Sequence, residues 1–120
     1  MSETAPMTKL QQLLEQLDQQ ADNIVFADVM ATIDQHYDFT PSAFDNGGIH
    51  NAAGENNGSC KVFAFGQLQQ LNEQQVLALF GEHYAAVKGN PDGSDHQNIR
   101  NFMAHGWAGI KLHAAPLTPR

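Results

Sequence analysis

The chain has 120 residues, 42% of them apolar, with 13 acids against 6 bases and a net charge of −7. That is the size of one domain with its own core. The acidic balance and the scattered bases Lys9, Lys61, Lys88, Arg100, Lys111 and Arg120 argue against nucleic acid, whose affinity rests on clustered Lys and Arg. One cysteine excludes an internal disulfide, and no apolar run approaches the ~18 residues of a membrane helix.

Leu10, Leu13, Leu14 and Leu17 recur at the spacing of one helix face, and Thr8 with Gln11 suits a capping box. A first helix is expected over 9–20. Asp22 or Asn23 is placed to cap a second over 24–36, with Phe26, Val29, Met30 and Ile33 inward and Tyr37 adding a turn. Asp28 and Asp34 lie roughly 120° from overlap on its polar side, so they form no carboxylate pair. Pro41 biases its predecessor to extended geometry, giving a short extended stretch into Phe44.

Asn46–Lys61, NGGIHNAAGENNGSCK, is rich in Gly and Asn and reads as a surface loop with little to bury. Cys60–Phe65, CKVFAF, is apolar on both alternating faces and reads as a strand covered on both sides, ended by Gly66. Asn72 and Gln75 open a third helix over 73–88, with Gly81 inside it at a cost of about 1 kcal/mol relative to Ala. Gly89–Asp95 reads as a loop. Ser94 or Asp95 caps a short fourth helix carrying Ile99, Phe102 and Met103, which Gly106 stops. Ile110 and Leu112 alternate with Lys111 and His113 as a half-buried strand, and the Pro-containing tail is expected to fray. The order is helix, helix, strand, loop, strand, helix, helix, strand. It predicts a single α+β domain, ordered over about 8–114, with about four helices on a mainly antiparallel sheet of about three strands.

The loop residues Asn46, Asn51, Glu55, Asn56, Asn57 and Ser59 both donate and accept hydrogen bonds. Gly47, Gly48, Gly54 and Gly58 permit close backbone approach. This set suits a neutral or zwitterionic small molecule or a peptide, unless the Asn side chains only cap their own turns. Arg100 can grip a carboxylate and Trp107 can stack. Their structural alternatives are an ion pair of Arg100 with Asp38 or Asp95, and an aromatic at the start of a strand for Trp107.

Cys60 is a candidate nucleophile with His50, His96 or His105 as base. The competing reading is a small hydrophobe at the head of an apolar strand. Histidine spacing gives no HxxxH or HExxH, and His96 and His105 fall on opposite helix faces. Asp45 and Glu55 with the Asn residues do not match a calcium loop. No metal and no cofactor are therefore expected.

The segments FADVMATIDQHYDFTPSAFDNG (26–47), NAAGENNGSCKVFAF (51–65), LFGEHYAAV (79–87) and HQNIRNFMAHGWAGIKL (96–112) resemble the HopJ type III effector family over about residues 9–112. The name comes from proteins grouped with effectors that plant-pathogenic bacteria inject into host cells. The resemblance implies no particular activity, so no role carries over to Asn46, Gly47, Asn57, Gly58, Ser59, Cys60, Arg100, Trp107 or Gly109. Met1–Met7 is short for a secretion leader, and no basic and apolar signal segment opens the chain. The expectation is a cytoplasmic HopJ-like binding or interaction module, monomeric by default, whose partner is a small molecule or protein. A small enzyme using Cys60 or the His/Asn cluster is one alternative, and a secreted effector acting on a host protein is another.

Overall fold

The computed structural model describes residues 8–120; Met1–Met7, read above as short for a secretion leader, lies outside them. Local signals set the first elements. Helix α1 (Lys9–Gln19) starts with the full Thr8–Gln11 capping box and buries Leu13 and Leu17. A 3₁₀ turn at Ala21–Asn23 follows, and α2 (Phe26–His36) begins later than the sequence predicts. No side chain at its own N-terminus caps α2. Instead the Phe26 N–H donates to Glu82 Oε1 at 2.8 Å, so the cap comes from a segment 56 residues away.

Tyr37 does not extend α2. It opens β1 (Tyr37–Phe39), which pairs antiparallel with β5 (Leu117–Pro119). The tail is therefore not frayed: Leu117 is buried and anchors β5 in the core. The expected loop begins as a hairpin of β2 (Phe44–Asn46) and β3 (Ile49–Asn51). Its two turn residues, Gly47 and Gly48, have φ of 58° and 94°. Positive φ at both positions is what a tight hairpin turn matched to strand twist requires. β4 (Ile110–Leu112) joins the other edge of β2, giving an antiparallel sheet in the order β3-β2-β4.

The largest correction is at Cys60–Phe65, which is helical. It forms the middle of α3 (Asn57–Leu68), where Cys60, Val62, Phe63, Ala64, Phe65 and Gly66 are all buried. A short continuous apolar run fits a buried strand or a buried helix equally well. Here the helix is central: Phe63 packs against Phe44, Phe80 and Phe102, and Phe65 against Tyr37. Gly66 is inside α3 rather than at its end, pressed against Val76 and Trp107.

The expected helix over 73–88 is two helices, α4 (Glu73–Leu79) and α5 (Glu82–Gly89). Asn72 and Gln75 form the predicted capping box. The break falls at Gly81, with φ 57°, where an added Cβ would lie 2.7 Å from the Ile24 carbonyl oxygen. The close approach of two backbones, rather than helix propensity, explains this glycine. Helix α6 (Gln97–His105) is capped by neither Ser94 nor Asp95; His96 precedes it in left-handed geometry. Gly106 ends it, and Trp107 lies in a 3₁₀ turn, Gly106–Gly109, rather than in a strand. Among the described residues the domain is thus α+β, with six α-helices and two small antiparallel sheets. None of these helices is long and apolar enough to cross a membrane.

Candidate functional site

The Gly/Asn segment divides into a buried half and an open half. Asn46 and Asn51 lie on the inward face of the β2–β3 hairpin and are 0% and 2% exposed. They meet Asn98, which is 7% exposed, on the first turn of α6. Asn46 Nδ2 donates to the Asn98 carbonyl at 2.8 Å and to its Oδ1 at 3.0 Å. Asn98 Nδ2 donates to Asn51 Oδ1 at 3.1 Å, and Asn56 Nδ2 donates to the same oxygen at 2.6 Å. These amides hold the hairpin to the starts of α3 and α6. Buried polar groups require such partners, and among the described residues only the Asn46 Oδ1 atom of this cluster lacks one.

The open half borders a cavity of about 540 Å³ between the N-termini of α3 and α6, lined by Asn56, Gly58, Ser59, His96, Gln97 and Asn98 with Phe26, Phe80 and His83, and by Asp95, whose carboxylate is paired with Arg100. Asn56 and His96 precede their helices in left-handed geometry, with φ of 52° and 51°. Neither side chain caps its helix. Two sets of first-turn N–H groups, which a helix cannot satisfy internally, therefore border one cavity. The His83 and His96 rings lie 5.2 Å apart, and Phe26 packs edge-on against His83. A groove of about 570 Å³ beside α1 and α4 touches none of the sequence candidates.

Arg100 does not face the cavity. Its Nε and Nη2 donate to the Asp95 carbonyl and carboxylate at 2.6 and 2.7 Å, and its Nη1 donates to the Asn90 and Pro91 carbonyls. This is the Asp95 ion pair among the sequence alternatives, and it fastens the loop before α6. The same pairing holds the Asp95 carboxyl below its ordinary range. Trp107 is half-buried, with its indole N–H on the Leu71 carbonyl and its ring edge-on to Phe102. Glu55 accepts from the Ala52 N–H, and Asn57 is exposed at the head of α3.

Cys60 is fully buried, and its Sγ contacts the Ser42 carbonyl at 3.7 Å. Burial pushes its thiol pKa up, the opposite of what a nucleophile needs. No histidine hydrogen-bonds to it among the described residues. The three candidate bases are dispersed: His96 lines the cavity, His105 ends α6 against Gly47, and His50 belongs to a separate cluster. There His50 Nδ1 lies 2.6 Å from Asp45 Oδ1, and His113 Nε2 lies 2.9 Å from Asp45 Oδ2. Hydrogen bonds from His50 and then His113 hold the Asp45 carboxyl below its ordinary range.

The family model described as HopJ type III effector protein matches residues 10–117. The chain belongs to the HopJ family. The crystal structure of VPA0580, a protein of unknown function, is 47% identical over 100% of both chains and superposes with a TM-score of 0.91. No curated protein matches.

In this HopJ domain the segments NNGSC and HQNIR, read separately in the sequence, form the two sides of one cavity. His83, Phe26 and Asn98 were missed as its neighbours. Phe26 and His83 resembled ordinary helix-face residues, and Asn98 carried no signal beyond its polarity. Asp45 and His113 were also missed as a unit, because only the sheet register brings them together across 68 residues.

Proposed function

We propose that this HopJ domain is a binding module whose ligand occupies the cavity between α3 and α6. The observation that carries this reading is the convergence of two uncapped helix starts on one cavity. The N–H groups of Gly58 and Ser59 on α3 and of Gln97 and Asn98 on α6, with the positive ends of two helix dipoles, favour acceptor oxygens and negative charge, while the Ile99 N–H is taken by the His96 carbonyl. Phe26 and Phe80 supply an apolar wall, and His83 and His96 offer ring faces or N–H donors. A small molecule carrying a carboxylate or similar oxygen-rich group on a compact apolar body fits this combination. A nucleophilic enzyme reading finds no support in a buried thiol without a base.

The test is an amide NMR titration of ¹⁵N-labelled protein with a panel of small carboxylates and organic phosphates. A binder that shifts Gly58, Ser59 and Gln97, and loses its effect in Ser59→Tyr, is the expected result. Ser59 is half-buried at the cavity wall, so the larger ring obstructs the cavity. If the panel leaves these amides unmoved, or shifts them equally in Ser59→Tyr, the reading fails.

A further inference from the structure

The register of the three-stranded sheet sorts its residues by face. Phe44 stands opposite Asn51 and Leu112, and Asp45 stands opposite His50 and Lys111. Side chains alternate across a strand, so Phe44 and Asn51 point to the core and Asp45 and His50 point away from it. His113 follows β4 by one residue, and its backbone N–H donates to the Ala43 carbonyl. That continues the ladder and places His113 on the outer face beside Asp45.

One carboxylate thus sits between two imidazoles. The three ligand atoms lie within 4.8 Å of one another, and the rings are 6.0 Å apart between centroids. Lys111, the direct partner of Asp45 on β4, makes no ion pair with it among the described residues; the carboxylate is turned to the histidines instead.

We infer that Asp45, His50 and His113 form a binding site for a divalent first-row transition metal of the zinc class. Two imidazole nitrogens and one carboxylate oxygen suit Zn²⁺, Co²⁺ or Ni²⁺ rather than Ca²⁺ or Mg²⁺, which prefer all-oxygen sites. Zinc bonds of about 2.0–2.1 Å in a tetrahedron separate neighbouring ligand atoms by about 3.4 Å. The present 2.6 and 2.9 Å contacts are hydrogen bonds to the two different Asp45 oxygens; the ion replaces them, and ligand atoms that now lie within 4.8 Å of one another adjust to edges of about 3.4 Å by side-chain rotation. The side chains have the freedom to do so, His50 being 64% and His113 38% exposed. Three protein ligands on one open face leave the remaining positions to water or a ligand.

The turn explains the precision of the arrangement. A two-residue Gly47–Gly48 connection fixes Asp45 opposite His50, and the residue after β4 supplies the third ligand. Spacing rules built on helices and knuckles cannot find such a set. Its members are five and 68 residues apart and meet only through the sheet.

The experiment uses the full chain purified without a histidine tag. Zn²⁺ is titrated calorimetrically, and Co²⁺ is followed by its visible absorption. One saturable equivalent per chain is expected, with four-coordinate Co²⁺ bands and metal-induced shifts of the His50 and His113 ring nitrogens. His50→Gln and His113→Gln should each weaken binding about tenfold or more, since even outer partners of metal ligands are worth 10–100-fold. His105→Gln should bind like the parent chain. Circular dichroism confirms that each variant folds, as expected for exposed positions. Absence of saturation at millimolar metal, or saturable binding that persists in the His50→Gln/His113→Gln double variant, overturns the inference.

Discussion

Replacing Asn51 by Ala separates a structural role of the asparagine cluster from a recognition role. Asn51 Oδ1 is the acceptor for Asn98 Nδ2 at 3.1 Å, and that donor has no second partner among the described residues. Its removal strands that donor in a site where Asn98 is 7% exposed. The Asn56 amide loses the same acceptor but is on an exposed residue and turns to water. One orphaned buried donor costs about 1–3 kcal/mol, and the space left by a fully buried side chain adds to it. The expected loss is about 2–4 kcal/mol, a large share of the stability of a domain this size. Asn98→Ala should cost less, about 1–2 kcal/mol. Each atom it deserts keeps another partner: Asn46 Nδ2 has the residue-98 carbonyl, Asn51 Nδ2 has the Phe44 carbonyl, and Asn51 Oδ1 has Asn56. Urea unfolding measures both. The midpoint of Asn51→Ala should fall by about 1–2 M with an unchanged slope. Loss below about 0.5 kcal/mol in Asn51→Ala, or a larger loss in Asn98→Ala, would refute this account of the network.

Two further predictions follow from burial and charge. Cys60 should resist alkylation in the native state at pH 6.5 and react only when the domain opens. Rapid native labelling would show that the thiol is neither buried nor raised in pKa as the structure has it. Glu82 accepts hydrogen bonds from the Phe26 N–H first and from its own N–H second, and these hold its carboxyl below the ordinary range. A depressed folded-state pKa contributes stability that is present above the unfolded value, about 4.3 for Glu, and is lost as pH falls through the folded one. The stability advantage of the parent chain over Glu82→Gln should therefore be constant near neutrality and shrink below about pH 4.3. A pH-independent difference would mean that the charge of this cap contributes nothing.

What could be read from the sequence was mostly local. The Thr8–Gln11 and Asn72–Gln75 capping boxes need only four residues each, and both stand as read. The Ile110–Leu112 strand and the stop at Gly106 needed little more. The middle of α3 was misread because residues 62–66, buried on every side, show no polar face to reveal a helical period. The break at Gly81 was misread because its cause, the Ile24 backbone, lies elsewhere in the chain. Asn46 and Asn51 looked like loop residues because a buried amide is distinguishable from an exposed one only by its partners, here 47 to 52 residues away. Half of the candidate cavity was legible as polar loop chemistry. The other half depended on α6 being brought beside it.

The hairpin of β2 and β3 has a consequence for how this surface tolerates change. Its inward residues fasten the fold, while its outward residues, one position away along the strand, face solvent and carry the proposed ion. Because side-chain direction alternates, inserting a single residue before the Gly47–Gly48 turn would exchange the two sets. Asp45 would then be driven toward the aromatic interior and an amide the core relies on would be turned to water. Point substitutions at Asp45 and His50 leave the inward set in place, so the outer chemistry can be rewritten freely by substitution. Changes of length cannot do so without undoing the fold.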